Sequence, residues 1–164
     1  MRPLHHKILI LVYWWAPPFL IAAIQFGLSS WSSPPQVPFR FPGWDKVMHG
    51  LIYFVMAVAT LRAIRGYHQF TFKKSFKIAM LLCIVYGMTD EIHQVFVPGR
   101  APEWQDWIAD AVGSLLGGCA WFVWEKIAPW PHHIFRNHPR FAPPTNQPSP
   151  PEHSTLESND FQST

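Results

Sequence analysis

Long apolar stretches, separated by short polar segments, occupy the chain up to residue 128. Four of them approach or reach the roughly 20 residues that a helix needs to cross a bilayer core. They cover residues 8–28, 47–64, 78–97 and 107–128, and their few charged residues lie close to their ends. The pattern therefore predicts an all-α fold, a polytopic membrane bundle of four transmembrane helices.

The first stretch has an alternative interpretation as a signal peptide, because Arg2 and Lys7 precede it. Its apolar run is longer than the usual h-region of about 7–15 residues, and no clean A-x-A cleavage site follows it. We therefore expect a retained span. Pro17 and Pro18 should kink this span because they remove backbone hydrogen-bond donors.

The basic residues indicate how the spans are oriented. Most of the 13 Lys and Arg residues lie before the first span, between the second and third, or after the fourth. The positive-inside rule then places both termini in the cytoplasm. Tryptophans near the span ends fit two interfacial belts: Trp31, Trp44, Trp104 and Trp107 outside, and Trp121, Trp124 and Trp130 inside. Trp14 and Trp15 lie within the first span and are expected to face other helices.

The composition of the chain changes near residue 130. Residues 1–130 hold the four spans and form the predicted transmembrane domain. Residues 131–164 are rich in Pro, His and Ser and poor in aliphatic side chains. Such a segment cannot bury enough apolar surface to offset the entropy of ordering. We therefore predict a disordered cytoplasmic tail, whose histidines are ordinary solvated side chains.

Composition also excludes several classes of protein. Only 14% of the residues are charged, against roughly 25% in a soluble domain, so the chain has no arm for binding nucleic acid. Two cysteines exclude a disulfide framework or a Cys-rich metal site. Both cysteines, Cys83 and Cys119, fall inside predicted spans, where packing thiols are expected.

Polar side chains collect near the outer ends of the second, third and fourth spans. Most of the ten acidic residues of the chain are among them: Asp45, Asp90, Glu91, Glu103, Asp106 and Asp110. Lys46, His49, His93, Gln94 and Arg100 lie in the same regions. Ionisable groups at membrane depth are costly and need partners or water, so this cluster indicates a functional pocket.

Helical spacing places several of these residues on common faces. The sets are Asp45, His49 and Tyr53; Asp90, His93 and Gln94; and Asp106 and Asp110. Glu91 turns partly away from its neighbours. On the fourth span the acidic face continues through Gly113 and Gly117, a Gly-x-x-x-Gly pattern that lets helices approach closely. These two glycines are predicted to be structural, and their face is predicted to pack into the bundle.

Carboxylates beside histidines suit general acid–base catalysis. The candidate catalytic residues are Asp90, Glu91, His93, His49 and Asp106. The chemistry also suits a divalent metal, the one candidate cofactor, with Asp90, Glu91, His93, Asp106 and Asp110 as ligands. Lys46 and Arg100 could hold an anionic head group such as a lipid phosphate, with Gln94 and Tyr53 as further substrate-binding candidates.

Individual residues also have structural interpretations. Asp45 could be the N-cap of the second span, and Asp106 could be the N-cap of the fourth. Asp90 and Arg100 could form an ordinary ion pair near the membrane interface. Asp45 is therefore assigned a structural role.

Three segments together resemble the VanZ-like family of membrane proteins. They are the D-K-V-M-H-G-L-I-Y run from Asp45 to Tyr53, the D-E-I-H-Q-V-F-V-P-G-R run from Asp90 to Arg100, and Asp106 with Gly113 and Gly117. The resemblance covers about residues 8–128. Asp110 departs from it, because the family usually has asparagine there, and an acid adds charge to the pocket.

The resemblance implies a multi-pass protein of the bacterial plasma membrane. The family's namesake gives low-level resistance to the glycopeptide teicoplanin, so the resemblance implies a cell-envelope phenotype but no mechanism. Three functions stay open. The pocket could act on or bind an envelope lipid or lipid-linked precursor. The protein could be a non-catalytic envelope factor whose polar cluster only holds the helices together. As a weaker alternative, it could be a small proton-linked transporter acting as an oligomer.

Overall fold

The computed structural model describes residues 4–32 and 41–128, which form four helices and no strand. The helices are α1 (Leu4–Ser29), α2 (Trp44–His68), α3 (Phe72–Gln94) and α4 (Trp104–Ile127). The predicted all-α fold with four helices is confirmed. The third predicted span was three residues too long at its end, because Val95 to Val97 lie in the turn after α3. The predicted tail at 131–164 and Trp130 lie outside the described residues.

Three of the described helices are long and apolar enough to cross a membrane: α1 from Lys7 onward, α2 and α4. The helix α3 has 23 residues, about 35 Å at 1.5 Å per residue, so its length is sufficient. Its composition differs, because Lys73, Lys74 and Lys77 lie near its start and Asp90 and Glu91 near its end. These five charged residues exceed the four in α2 and the four in α4.

The surface of the bundle is largely apolar. Large side chains project outward from every helix, among them Leu9, Phe19, Leu51, Leu81, Val112 and Leu116, each at least half exposed. Exposure of this kind is unfavourable in water but matches the hydrocarbon of a bilayer. The exposed surface therefore supports a membrane environment for the four helices.

Helices α2 and α4 pack most closely, through small residues. A Cβ atom at Gly113 would overlap the carbonyl oxygen of Gly50, and one at Gly117 would overlap the carbonyl oxygen of Phe54. The predicted close-approach face of α4 is therefore confirmed, and the helix that it meets is α2. Glycine is required at both positions because the obstacle is rigid backbone.

The end of the bundle opposite the polar residues is held by aromatic and ionic contacts. Trp14 of α1 is 1% exposed and lies where a side chain on Gly66 of α2 would be, as expected for a tryptophan that faces another helix. Arg65 of α2 pairs with Glu125 of α4 at 2.6 Å. Trp121 departs from the predicted belt, because it is buried in a core cluster with Leu61.

Replacing Gly113 with alanine should destabilise the protein, because the new methyl group has to displace the backbone of α2. We expect a loss of about 1–3 kcal/mol in the free energy of unfolding, measured by denaturing the detergent-purified protein with SDS. Gly27→Ala is the matched control, since a Cβ there meets nothing within 4 Å. Equal stability of the two variants would contradict the close approach of α2 and α4.

Candidate functional site

One end of the bundle collects the polar side chains of all four helices. At this polar end, α1 and α3 finish while α2 and α4 begin. The buried polar residues there are Gln25, Ser29, Asp90, Glu91, Gln94, Asp106 and Asp110. They divide into three groups of contacts, one around Lys46, one around His49 and one between α1 and α3.

The group around Lys46, here called the lysine cluster, contains three carboxylates. The Lys46 ammonium lies 3.0 Å from Asp45 Oδ2, 2.7 Å from Glu103 Oε2 and 3.0 Å from Asp106 Oδ1. The Asp106 side chain is only 9% exposed, whereas Asp45 and Glu103 are about half exposed. One cation thus serves three acids and links α2 to α4.

Neither Asp45 nor Asp106 is the N-cap that its alternative structural interpretation would require. The residue that precedes α2 is Gly43, which has a positive φ of 83°, and no side chain caps the helix there. Asp45 lies in the first turn instead. Glu103 precedes α4, and Asp106 again lies in the first turn. Carboxylates in a first turn still interact favourably with the helix dipole, but both also bind Lys46.

The second group, here called the histidine cluster, joins three helices. His49 Nδ1 of α2 lies 3.0 Å from Asp110 Oδ1 of α4, and His49 Nε2 lies 4.0 Å from Asp106 Oδ2. Glu91 of α3 completes the cluster, since one ligand atom from each of His49, Glu91 and Asp110 lies within 4.8 Å of the others. The carboxylate that orients His49 is therefore chiefly Asp110.

Two buried oxygen atoms beside the histidine cluster have no hydrogen-bond partner among the described residues. They are Asp110 Oδ2 and the hydroxyl of Tyr53, one helical turn beyond His49. Asp110 is 1% exposed and Tyr53 is fully buried. Tyr53 packs with Met56 and Cys83 in the core, which also confirms Cys83 as a packing thiol. A buried polar atom without a partner costs about 1–3 kcal/mol, so these two oxygens call for a ligand or water.

The third group, here called the α1 contact, centres on Asp90. Its Oδ2 atom accepts hydrogen bonds from Ser29 Oγ at 2.7 Å, Gln25 Nε2 at 3.0 Å and Gln94 Nε2 at 3.4 Å. Its Oδ1 atom is buried without a partner among the described residues. His93 is also directed toward the end of α1, because its Nε2 lies 2.9 Å from Ser30 Oγ.

Asp90 and His93 therefore face α1, and the structure does not bring them into the histidine cluster with Glu91 and Asp110. His93 also stacks on Phe26 of α1, with ring centroids 4.4 Å apart. Gln94 lies between the groups, since its Nε2 is also 3.5 Å from Glu91 Oε1. Sequence reasoning missed the polar residues of α1. Their signal was Gln25 and Ser29, four residues apart in an otherwise apolar helix.

Glu91 and Arg100 fix the loops at this end. Glu91 Oε2 accepts a hydrogen bond from the backbone N–H of Glu103 at 2.9 Å, which holds the start of α4. Arg100 donates to the carbonyl oxygens of Leu28 at 2.9 Å and Trp31 at 3.2 Å. Arg100 thus satisfies carbonyl groups at the C-terminus of α1. The predicted ion pair between Asp90 and Arg100 is not among the contacts of the described residues.

An apolar groove of about 320 Å³ lies beside the polar end, between α1, α2 and α3. Its lining residues include Trp15, Phe19, Ala22, Met56 and Leu82, and it reaches Tyr86 and Thr89. Thr89 lies one residue before Asp90 along α3, so the groove approaches the α1 contact, although no residue of that contact lines it. Tyr86 Oη donates to the carbonyl oxygen of Ala22 at 2.6 Å and so joins α1 to α3 at this point.

The chemistry available at the polar end is that of an oriented imidazole among carboxylates. A carboxylate hydrogen-bonded to one ring nitrogen fixes the tautomer and leaves the other nitrogen to accept or deliver a proton. Asp110 holds His49 in this way, and Glu91 lies beside it. The same three groups could hold a cation. The catalytic, binding and metal assignments made from the sequence stay predictions.

Lys46→Met should lower the free energy of unfolding by about 1–2 kcal/mol. The substitution leaves the nearly buried Asp106 carboxylate without its cation, while the exposed partners lose little. Adding Asp106→Asn should recover part of the loss. A double-mutant cycle in SDS unfolding measures the coupling free energy, and a coupling near zero would show that this pair contributes no stability.

Asp90→Ala should weaken the attachment of α1, because Gln25 and Ser29 lose their acceptor. We expect a loss of about 2 kcal/mol in the free energy of unfolding. In a double-mutant cycle with Ser29→Ala, most of this loss should disappear when Ser29 has already been replaced. Thr89→Ala is the neighbouring control, since Thr89 bonds only to Tyr86 O of its own helix among the described residues. A loss no larger than that of the control would contradict the role of Asp90.

Comparison with known proteins identifies one family. The sequence profile of the VanZ/LLP1 family matches residues 9–125, a range that includes all three groups of polar contacts. No curated protein and no solved structure matches the chain.

Proposed function

Since the chain belongs to the VanZ/LLP1 family, we propose that it binds an envelope lipid or lipid-linked precursor in the bacterial plasma membrane. The observation that carries the proposal is an apolar groove that comes within one residue of the polar end along α3. The groove reaches Thr89, and Asp90 begins the polar residues of α3. A lipid needs this combination of an apolar channel for its chain and polar groups for its head.

The orientation follows from charge. Lys73, Lys74 and Lys77 lie near the start of α3, at the opposite end from the acidic residues. The positive-inside rule favours the cytoplasm for this end, with both termini there. The polar end then faces the outer leaflet, where envelope precursors are used.

The occupant proposed for the groove is one hydrocarbon chain of a membrane lipid. Of the three helices that line the groove, α1 and α2 are apolar enough to cross a bilayer, and the lining is dominated by aliphatic and aromatic side chains. Inside a bilayer, the molecules in contact with such a surface are the hydrocarbon chains of lipids. The head group would then lie near the α1 contact, where Asp90 Oδ1 has no partner among the described residues.

The acid–base residues of this proposal are His49, Glu91 and Asp110. His49 Nδ1 is held by Asp110, which leaves Nε2 for proton transfer. The proposed roles of Lys46 and Arg100 toward an anionic head group require an exchange of partners. Lys46 already serves three carboxylates, and Arg100 already serves two carbonyl groups. A change in susceptibility to teicoplanin-type glycopeptides is the cellular effect expected if the lipid is a cell-wall precursor.

A second candidate is a non-catalytic envelope factor whose polar groups hold the helices together. It is favoured by the distribution of the contacts, because Lys46 links α2 to α4, Asp90 links α3 to α1 and Glu91 links α3 to α4. Glu91→Gln separates the two candidates. A variant that folds but has lost the effect on glycopeptide susceptibility indicates a site. A variant that fails to fold indicates a structural role.

Ala22→Phe should block the groove, because Ala22 lines it and the larger ring takes the space of a lipid chain. The probe is a phosphatidylglycerol with a photoreactive diazirine in one acyl chain, cross-linked to the purified protein. We expect at least about a fivefold loss of cross-linked peptides from α1 and α3, since a blocked pocket excludes its ligand.

Ala23→Phe is the matched control, because Ala23 is exposed and is not part of the groove lining. Its cross-linking should equal that of the wild type. Equal cross-linking of both variants, or cross-links spread evenly over all four helices, would show that the groove does not bind lipid chains.

A further inference from the structure

We propose that His49, Glu91 and Asp110 together bind one divalent transition-metal ion. This site uses the three acid–base residues of the proposed function, but it does not require that a lipid chain binds in the groove. The three side chains come from α2, α3 and α4, and one ligand atom from each lies within 4.8 Å of the others. The ligand set differs from the one that the sequence indicated, because Asp90 and His93 face α1 and His49 takes part.

The two acidic clusters at the polar end differ in whether a basic side chain balances their negative charge. Asp45, Glu103 and Asp106 also present ligand atoms within 4.8 Å of one another, but the ammonium of Lys46 lies among them at 2.7 to 3.0 Å. That cluster already holds its positive charge. Among the described residues, Glu91 and Asp110 have no Lys or Arg partner within 4.0 Å, and Asp110 pairs only with His49.

The charges of the histidine cluster do not balance by themselves. With both carboxylates ionised, even a protonated His49 offsets only one of them and leaves a negative charge in a site where Asp110 is 1% exposed and Glu91 is 9% exposed. An uncompensated buried charge is strongly destabilising. A divalent cation supplies the missing charge and offers a partner to Asp110 Oδ2, which has none among the described residues.

The geometry and the donor atoms indicate the kind of ion. Neighbouring ligands of an octahedral ion at about 2.1 Å lie about 3 Å apart. The ion would therefore replace the hydrogen bond between His49 Nδ1 and Asp110 Oδ1, which are 3.0 Å apart. One imidazole with two carboxylates suits Mn²⁺, Fe²⁺ or Zn²⁺ better than Mg²⁺ or Ca²⁺, which prefer oxygen ligands alone. The remaining coordination positions would be open to water or to a substrate oxygen.

The test is Mn²⁺ binding to the full chain. The protein is purified in detergent without a nickel column, and a chelator then removes any metal that it carries. Free Mn²⁺ is counted by electron paramagnetic resonance during a titration. Mn²⁺ is the probe because carboxylates favour it, whereas the other histidines of the chain would collect zinc or nickel. We expect one saturable site per chain, and a dissociation constant at least about tenfold higher in Asp110→Asn and in Glu91→Gln.

Glu103→Gln is the control, because its carboxylate binds Lys46 in the other cluster while its backbone N–H can still hold Glu91. It should bind Mn²⁺ as the wild type does. Wild-type protein without a saturable site overturns the proposal, as does equal binding by all variants. Lipid cross-linking without Mn²⁺ binding would reject this site alone, and Mn²⁺ binding without lipid cross-linking would reject the lipid proposal alone.

Discussion

The structure depends on one constraint, the need of a buried charge for a partner where water is scarce. In hydrocarbon an ionised side chain is stable only when another charge, several hydrogen bonds or an ion compensates it. The polar end meets this need differently for each acid. Asp106 has an ammonium, Asp90 has a hydroxyl and an amide from α1, and Glu91 has a backbone N–H of the following loop. Asp110 has one imidazole partner for its two carboxylate oxygens. The chemistry of the site follows from the lack of a partner for the second oxygen.

The same need explains how the helices are held together. The hydrophobic effect gives little drive for association between helices that already lie in lipid, so small residues and polar contacts carry the assembly. Helices α2 and α4 use the first route, at Gly113 and Gly117. The helix α1 uses the second, since most of its surface is exposed and its polar contacts include those with Tyr86, Asp90 and Arg100. The acids of the site therefore also support the fold, which is why substitutions must be read together with stability.

Hydrophobic length and period were sufficient to predict the four helices and the glycine face of α4. They could not predict which helix each polar face meets, because that depends on how the helices are arranged around one another. Asp90 and Glu91 are adjacent, yet one faces α1 and the other joins His49 and Asp110. His49 and Asp110 are 61 residues apart, so no spacing rule could pair them. The cap positions depend on where each helix begins, since α2 follows Gly43 and α4 follows Glu103, which places Asp45 and Asp106 inside the first turns.

In the proposed orientation, the histidine cluster is open to the outside of the cell and is not a dry contact between helices. Substituted-cysteine labelling tests it directly, with His49→Cys in a chain whose Cys83 and Cys119 are replaced. A membrane-impermeant thiol reagent is added to intact cells, with Lys74→Cys as the control for the opposite end. We expect labelling at position 49 in intact cells and at position 74 only after the cells are opened. Labelling at position 49 only after denaturation, or only from the cytoplasmic side, would contradict it.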